Sequence, residues 1–289
     1  MKFSMRRVTV AALLSCGAAA AIALPVSSAV PGGPVLFSDN SAEVLVDRNG
    51  NGLLDIGDSL RGIFSIDNIT GSAGPVAIGT GTAYNELSGI FQVVVTSKIP
   101  TFISASLQRF DYTFGFDAAF GQGAGVLGVL YDDPAQNFAR ANCGGANDIA
   151  ACEATATGGA IWATVGFGAS GFWSASGAPD TTAVGSILPL TTPLGNFSMG
   201  LNFFTNNTGY SWNKVNCLDL TTFAISSVDL CGQGGILASG RIASGTNTPY
   251  DIFNNVDFTA NRVPEPGSLS LIGLALVGLG VARRRKLSA

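Results

Sequence analysis

The chain has 289 residues, of which 47% are hydrophobic and 12% charged, and it contains no histidine. Without histidine, Ser-His-Asp and Cys-His nucleophilic systems are excluded. Eight basic and eighteen acidic residues lie between positions 30 and 262, a net charge of −10, and this excess of acid disfavours nucleic acid as a partner because phosphate binding needs clustered Lys and Arg.

The first segment has the features of a secretory signal peptide. Three basic residues begin it: Lys2, Arg6 and Arg7. An uncharged run over residues 8–24 follows, and small residues at Ser27 and Ala29 predict cleavage by signal peptidase between Ala29 and Val30. Residues 21–23, Ala-Ile-Ala, are a second candidate cut site. An uncleaved N-terminal anchor is the alternative, although the run is short for a membrane span.

The sequence divides into three parts. Residues 1–29 are the predicted signal peptide, residues 30–262 an exported β-rich domain and residues 263–289 a C-terminal tail. The middle part has 233 residues, a length at which all-β proteins are often one domain. One domain is therefore predicted.

A twelve-residue segment near the start of this domain has the pattern of a calcium loop. Its candidate ligands are Asp47, Asn49, Asn51, the carbonyl of Leu53, Asp55 and Asp58. Gly52 occupies the sharp-turn position, and strand-like flanks make the segment similar to the calcium loops of bacterial surface domains and dockerins. Asp58 is shorter than the usual glutamate, so a structural Ca²⁺ would bind with modest affinity. A metal-free Asn/Gly hairpin stabilised by Asx turns is the alternative.

Runs of β-branched and aromatic residues separated by turn residues predict strands along the rest of the domain. The clearest are residues 43–46, 62–68, 89–97 and 111–116, and further candidates are residues 126–131, 161–167, 196–204, 222–228, 236–243 and 252–258. Residues 132–159 and 175–193 are predicted loops. The fold class is all-β, a single β-sandwich or jelly-roll-like domain flanked by an N-terminal signal helix and a short C-terminal transmembrane helix.

Four cysteines remain after the signal peptide: Cys143, Cys152, Cys217 and Cys231. An even number in an exported protein indicates two disulfides, for which three connectivities exist. Pairing of sequence neighbours is favoured, because each pair then closes a short Gly- and Asn-bearing loop. Zinc is a weak alternative, since no pair has the required close spacing.

The C-terminal segment leaves the folded domain at a Val-Pro-Glu-Pro sequence formed by Val263, Pro264, Glu265 and Pro266. Its prolines end the last strand because they cannot donate a backbone hydrogen bond. Residues 267–282 are uncharged and would form a helix about 24 Å long, marginal for a hydrocarbon core of ~30 Å. A basic cluster follows: Arg283, Arg284, Arg285 and Lys286. The positive-inside rule places this cluster in the cytoplasm and the body outside.

The tail resembles the PEP-CTERM sorting signal, in which Val-Pro-Glu-Pro, a short Leu/Gly-rich helix and an Arg cluster occur in this order. The resemblance implies recognition by an exosortase, a membrane-embedded cysteine protease or transpeptidase, and removal of the tail near the Pro-Glu-Pro motif. It also implies a Gram-negative bacterium that makes exopolysaccharide. The resemblance covers residues 263–286 alone. An ordinary C-terminal anchor with a proline linker is the alternative.

The sequence supports three hypotheses for the body. The first is a non-enzymatic structural or adhesive protein, anchored in the inner membrane with its body in the periplasm and then released to the cell surface or to a matrix containing extracellular polysaccharide. The second is a calcium-dependent carbohydrate-binding module, which would need an exposed strip formed by Trp162, Trp173 and Trp212. The third is a carboxylate-dependent glycosidase, which the adjacent Asp132 and Asp133 do not favour because neighbours in a strand face opposite ways.

Overall fold

The computed structural model shows a body built mainly from antiparallel strands, as the sequence predicts. It describes residues 23–264 and Leu274, apart from residues 104–107, 142, 144–147, 182–184, 186, 190, 191 and 246. The strands of the described residues are β1 (Gly33–Val46), β2 (Ser59–Gly71), β3 (Gly74–Ala77), β4 (Glu86–Ile103), β5 (Gln108–Phe116), β6 (Val126–Asp133), β7 (Ala160–Gly166), β8 (Phe172–Pro179), β9 (Pro193–Asn206), β10 (Trp212–Asn213), β11 (Val215–Leu218), β12 (Ile225–Val228), β13 (Leu230–Ala238) and β14 (Ile252–Arg262). The helical segments are α1 (Ile149–Ala156), α2 (Arg241–Ser244) and the 3₁₀ turns Val26–Ala29 and Ala118–Phe120.

The main sheet closes on itself. Antiparallel pairings run from β1 through β2, β4, β6, β7, β9, β13 and β14 and return to β1. Two further strands, β5 and β8, form a second link between β4 and β9. Each strand of this circuit is hydrogen-bonded on both sides, so these strands present no open edge to another chain.

The long strands β4 and β9 make this double link possible. On one side β4 first pairs with β6, over Glu86–Phe91, and then with β5, from Val93 onwards. Strand β9 changes partner in the same way, from β8 to β7. The sheet therefore splits at both strands, which gives the sandwich-like form expected from the sequence.

The core lies inside the closed sheet, because inward and outward residues alternate along its strands. In β1 the buried positions are every second residue from Val35 to Glu43, with Ala42 also buried from the other side. Aromatic rings fill much of the interior, including Phe91 and Trp173 with ring centroids 5.4 Å apart. Such pairs add to the stabilisation that burial itself provides.

Several elements differ from the sequence prediction. Strand β1 begins at Gly33, ten residues before the predicted strand, and β8 lies partly within the predicted loop 175–193. Both segments contain polar and small residues, which have low strand propensity. They form strands nevertheless, because each is paired on two sides and buries one face. The predicted loop 132–159 contains α1, whose first turn is capped by Asp148 Oδ1, which accepts a hydrogen bond from the Ala150 amide at 3.0 Å.

Within the described residues, no helix has the length and apolar character needed to cross a membrane. Residues 1–22 of the predicted signal segment and nearly all of the predicted tail helix lie outside those residues, whereas residues 23–29 are described.

Candidate functional site

The C-terminal strand ends where the predicted sorting segment begins. Strand β14 extends to Arg262, and the short strand β10 pairs with its last two residues. The Val263 amide still donates a hydrogen bond to the carbonyl of Ser211 at 2.9 Å. Pro264, which has no amide hydrogen, is the next residue, so ladder hydrogen bonding cannot continue through it.

Arg262 joins the two ends of the body. Its guanidinium lies 3.4 Å from the centroid of the Tyr210 ring, and one of its nitrogens donates a hydrogen bond to the carbonyl of Val30. In the sheet register Arg262 is opposite Gly33, the first residue of β1. The N-terminal and C-terminal segments therefore leave the sheet at the same end.

Of the predicted sorting residues, Val263 and Pro264 are described, and both lie at this junction. Glu265, Pro266 and the basic residues Arg283, Arg284, Arg285 and Lys286 lie outside the described residues. The predicted signal-cleavage residues Ala29 and Val30 are both buried.

The predicted calcium loop is held by hydrogen bonds between its own side chains and backbone. Both carboxylate oxygens of Asp47 accept backbone N–H bonds, from Gly50 and from Gly52 at 2.6 Å each, and Gly52 has the positive φ of 75° that the turn requires. The Asn49 and Asn51 side-chain oxygens accept from amides two residues ahead, as Asx turns do. The bond from Gly52 is the main cause that lowers the pKa of Asp47.

The carboxylates in the second half of this loop also accept hydrogen bonds from other groups of the protein. Both oxygens of Asp58 accept backbone N–H bonds, from Arg48 and Asp55 at 2.9 Å each. The Lys98 ammonium donates to Asp55 Oδ1 at 2.8 Å, and this bond lowers the pKa of Asp55. The described residues contain no group of three or more His, Cys, Asp or Glu side chains placed to hold a metal.

The two disulfides join Cys143 to Cys152 and Cys217 to Cys231, the local pairings that the sequence favours. The first attaches α1 to the loop that precedes it. The second attaches the β11–β12 hairpin to β13 in the main sheet. Each restricts the unfolded chain by closing a short loop.

The tryptophans do not form an exposed strip. Trp162 and Trp173 are buried in the core, and Trp212 is partly buried against it, with its ring centroid 6.4 Å from that of Trp162. All three rings pack against other aromatic rings.

The adjacent acidic residues Asp132 and Asp133 both have structural partners. Asp132 Oδ1 accepts a hydrogen bond from the Asn85 side chain at 2.7 Å, and Asp133 Oδ1 accepts from the Ala135 amide at 2.8 Å. These bonds fix the end of β6 and the turn that follows.

Sequence reasoning missed a group of polar side chains inside the sheet. Asp39, Ser41 and Glu43 of β1 and Asn254 of β14 line a mostly apolar cavity of about 60 Å³. Asn254 donates its amide to Glu43, whereas Asp39 Oδ1 and Asn254 Oδ1 have no hydrogen-bond partner among the described residues. The signal that could have found them is the alternation from Phe37 onwards, which places Asp39 and Glu43 on the inward face.

Burial controls the charge of these two carboxyls. It raises the pKa of Glu43 to about 8, against a bond from Asn254 that opposes the shift. Burial likewise raises the pKa of Asp39 well above its ordinary value. With a pKa of about 8, Glu43 is mostly protonated inside the sheet at neutral pH, because an ionised carboxylate is costly in an apolar interior.

Comparison with known proteins identifies the tail. Residues 262–286 match the family model described as the PEP-CTERM protein-sorting motif. No curated protein and no solved structure matches the chain. The match starts at Arg262, the last residue of β14. The C-terminal tail therefore carries a PEP-CTERM motif, which indicates an exported protein that is sorted and processed by an exosortase.

Proposed function

We propose that the body is a non-enzymatic structural or adhesive protein that the exosortase system delivers to the cell surface or into an exopolysaccharide matrix. The observation that carries the proposal is the match to the sorting motif at residues 262–286, which begins at the end of the folded sheet. Before processing, the short apolar tail anchors the protein in the inner membrane with the body in the periplasm. Signal peptidase removes the N-terminal segment and the exosortase removes the tail.

Two features of the body support a structural role that requires resistance to unfolding. The strands of the closed circuit are paired on both sides. One disulfide cross-links the segment around α1, and the other joins the β11–β12 hairpin to β13 of the circuit. Both features stabilise the protein against unfolding outside the cell, where no ATP-dependent chaperones refold proteins.

Processing is tested by expressing the full chain with and without a cognate exosortase. We expect loss of the tail only when the enzyme is present, with the body found outside the inner membrane. Replacement of the motif carboxyl by Glu265→Gln should slow or abolish that loss. The measurement is the intact mass of the protein in each cell fraction.

A matched control is Asp257→Asn, which removes a carboxylate from an exposed position on β14, ahead of the motif. This variant should be processed like the wild type. A tail that persists with and without exosortase would refute the sorting proposal.

The alternative of a calcium-dependent carbohydrate-binding module depends on the loop at residues 47–58. The fit is partial. The loop has the glycine turn and the oxygen side chains that Ca²⁺ prefers, but Asp58 is engaged by backbone amides and Lys98 already supplies a positive charge to Asp55. Asp47, Asn49 and Asn51 would be the main side-chain ligands. The burial of Trp162 and Trp173 leaves the carbohydrate part of this alternative without its aromatic platform.

Calcium binding has a specific expected result. The wild-type protein should bind Ca²⁺ with a Kd on the order of 10⁻⁴–10⁻³ M, as extracellular modules do. Lys98→Met should tighten binding by roughly tenfold, because it removes a charge that competes at Asp55. Asp47→Asn should weaken binding. Isothermal titration calorimetry with Ca²⁺ measures all three.

The control is Lys214→Met, which removes a lysine from a different ion pair, with Asp229. It should leave calcium affinity unchanged. If neither the wild type nor Lys98→Met releases heat, and chelation leaves the melting temperature constant, the metal-free hairpin is the correct interpretation.

A further inference from the structure

The segment just before β1 is part of the sheet structure. The Leu24 amide donates to the carbonyl of Ala83 at 2.8 Å, and the carbonyl of Leu24 accepts from the Asn85 amide at 2.7 Å. These bonds form a parallel bridge between Leu24 and Tyr84. The backbone is therefore fixed from Leu24 onwards.

The next residues enter the core. The side chain of Val26 is completely buried, and its amide donates to the two carboxylate oxygens of Asp132 at 3.3 and 3.4 Å. The carbonyl of Ser27 accepts from the Tyr210 hydroxyl at 2.6 Å, and the Ser27 hydroxyl donates to the carbonyl of Thr208 at 3.1 Å. This short segment thus connects β6 to the loop before β10.

The two candidate cut sites would leave very different N-termini in this structure. Cleavage before Val30 would remove the fully buried Val26 and the buried Ala29 from the core, together with the hydrogen bonds that residues 24–27 make to the rest of the body. Loss of buried apolar side chains from a packed core is costly. Cleavage before Leu24, which is 49% exposed, would place the α-ammonium at the surface, where it could still donate to the carbonyl of Ala83.

We propose that signal peptidase cuts between Ala23 and Leu24, so that the mature protein begins at Leu24. In this hydrolysis the Ala23–Leu24 amide bond breaks, the hydroxyl of a water molecule joins the Ala23 carbonyl, and a proton goes to the Leu24 nitrogen. Ala21 and Ala23 supply the small residues required before the cut. The proposal rests on export of the protein and is independent of a structural or adhesive role.

The intact mass of the exported protein tests the site directly. We expect a chain that starts at Leu24. Ala23→Leu, which places a large side chain at the cut, should accumulate uncleaved precursor, whereas Ala29→Leu should give a product that still begins at Leu24. Masses taken from denatured extracts do not depend on folding. A wild-type chain that starts at Val30 would overturn the proposal, and a failure of export would be visible separately as precursor in the cytoplasm.

Thermal melting of the processed, exported protein gives a second test. If the mature chain retains Val26, then Val26→Ala leaves a cavity and should lower the melting temperature by about 5 °C. Ser28→Ala, at an exposed position two residues away, should leave the melting temperature unchanged. If the chain begins at Val30, both variants give mature proteins identical to the wild type in mass and in melting temperature, and the proposal is wrong.

Discussion

Between pH 5 and pH 8 the protein is expected to lose roughly 4 kcal/mol of its free energy of unfolding through Glu43 alone. Burial raises the pKa of this carboxyl from its ordinary value of 4.5 to about 8. The folded protein therefore holds the Glu43 proton more tightly than the unfolded chain does. The stabilisation is complete below pH 4.5, falls as the pH rises through the interval up to 8, and is absent above it. Asp39, whose pKa burial also raises, acts in the same direction.

The measurement is chemical denaturation at a series of pH values, with the disulfides oxidised. Glu43→Gln keeps the shape of the side chain and removes its titration, so the variant should match the wild type near pH 5 and exceed it by several kcal/mol at pH 8. Its profile should be flatter than that of the wild type. Asp39 and Glu86, whose pKa values burial also raises, act in the same direction as Glu43.

Asp257→Asn is the control, because it removes a carboxylate from the exposed side of β14, the strand that pairs with β1. Its profile should follow that of the wild type. Equal slopes for the wild type and Glu43→Gln would show that Glu43 does not titrate in this interval.

The second large effect concerns the contact of β2 with β4. In this register Phe64 is opposite Gly89 and Phe91 is opposite Gly62, so each ring lies over the glycine of the other strand. A Cβ atom at Gly89 would be 2.2 Å from the Val129 carbonyl oxygen and 2.5 Å from the Phe64 ring. Gly89→Ala should therefore lower the free energy of unfolding by about 3 kcal/mol or prevent folding, because a backbone oxygen held in a sheet cannot move aside cheaply.

Gly235→Ala is the matched control on β13. There the nearest atom to a new Cβ is a methyl carbon of Leu237 at 3.9 Å, an ordinary contact. This variant should stay within about 0.5 kcal/mol of the wild type or gain slightly, since alanine restricts the unfolded chain. Urea denaturation of both variants decides the question, and equal stabilities would mean that the β2–β4 contact has room that the structure does not show.

The local features of the chain could be predicted from residues alone. Turn residues between β-branched and aromatic runs specified the strand-rich class, and close sequence spacing favoured the disulfides that the structure contains. The sorting motif in the tail was readable because its order of proline, apolar and basic residues is itself the signal that an exosortase reads, and the family match confirms it.

The long-range pairing of strands could not be predicted from the sequence. The early half of β1 has the composition of a turn around Asp39 and Ser41, yet β2 and β14 pair with it on both sides. No local pattern records a partner two hundred residues away, because strand pairing is chosen by the burial that the whole sheet achieves. The buried state of Glu43 depends on the same pairing.

The sequence by itself determined the strand-rich class, the favoured cysteine pairs and the sorting of this protein, since each depends on residue type and short spacing. Only the tertiary structure decided which carboxyls lose contact with water, which glycines lie beneath aromatic rings, and that residues 24–30 belong to the folded body. Each of these depends on surfaces brought together from distant parts of the chain. These surfaces meet because the β-strands form a closed circuit, in which the end of β14 pairs with the start of β1.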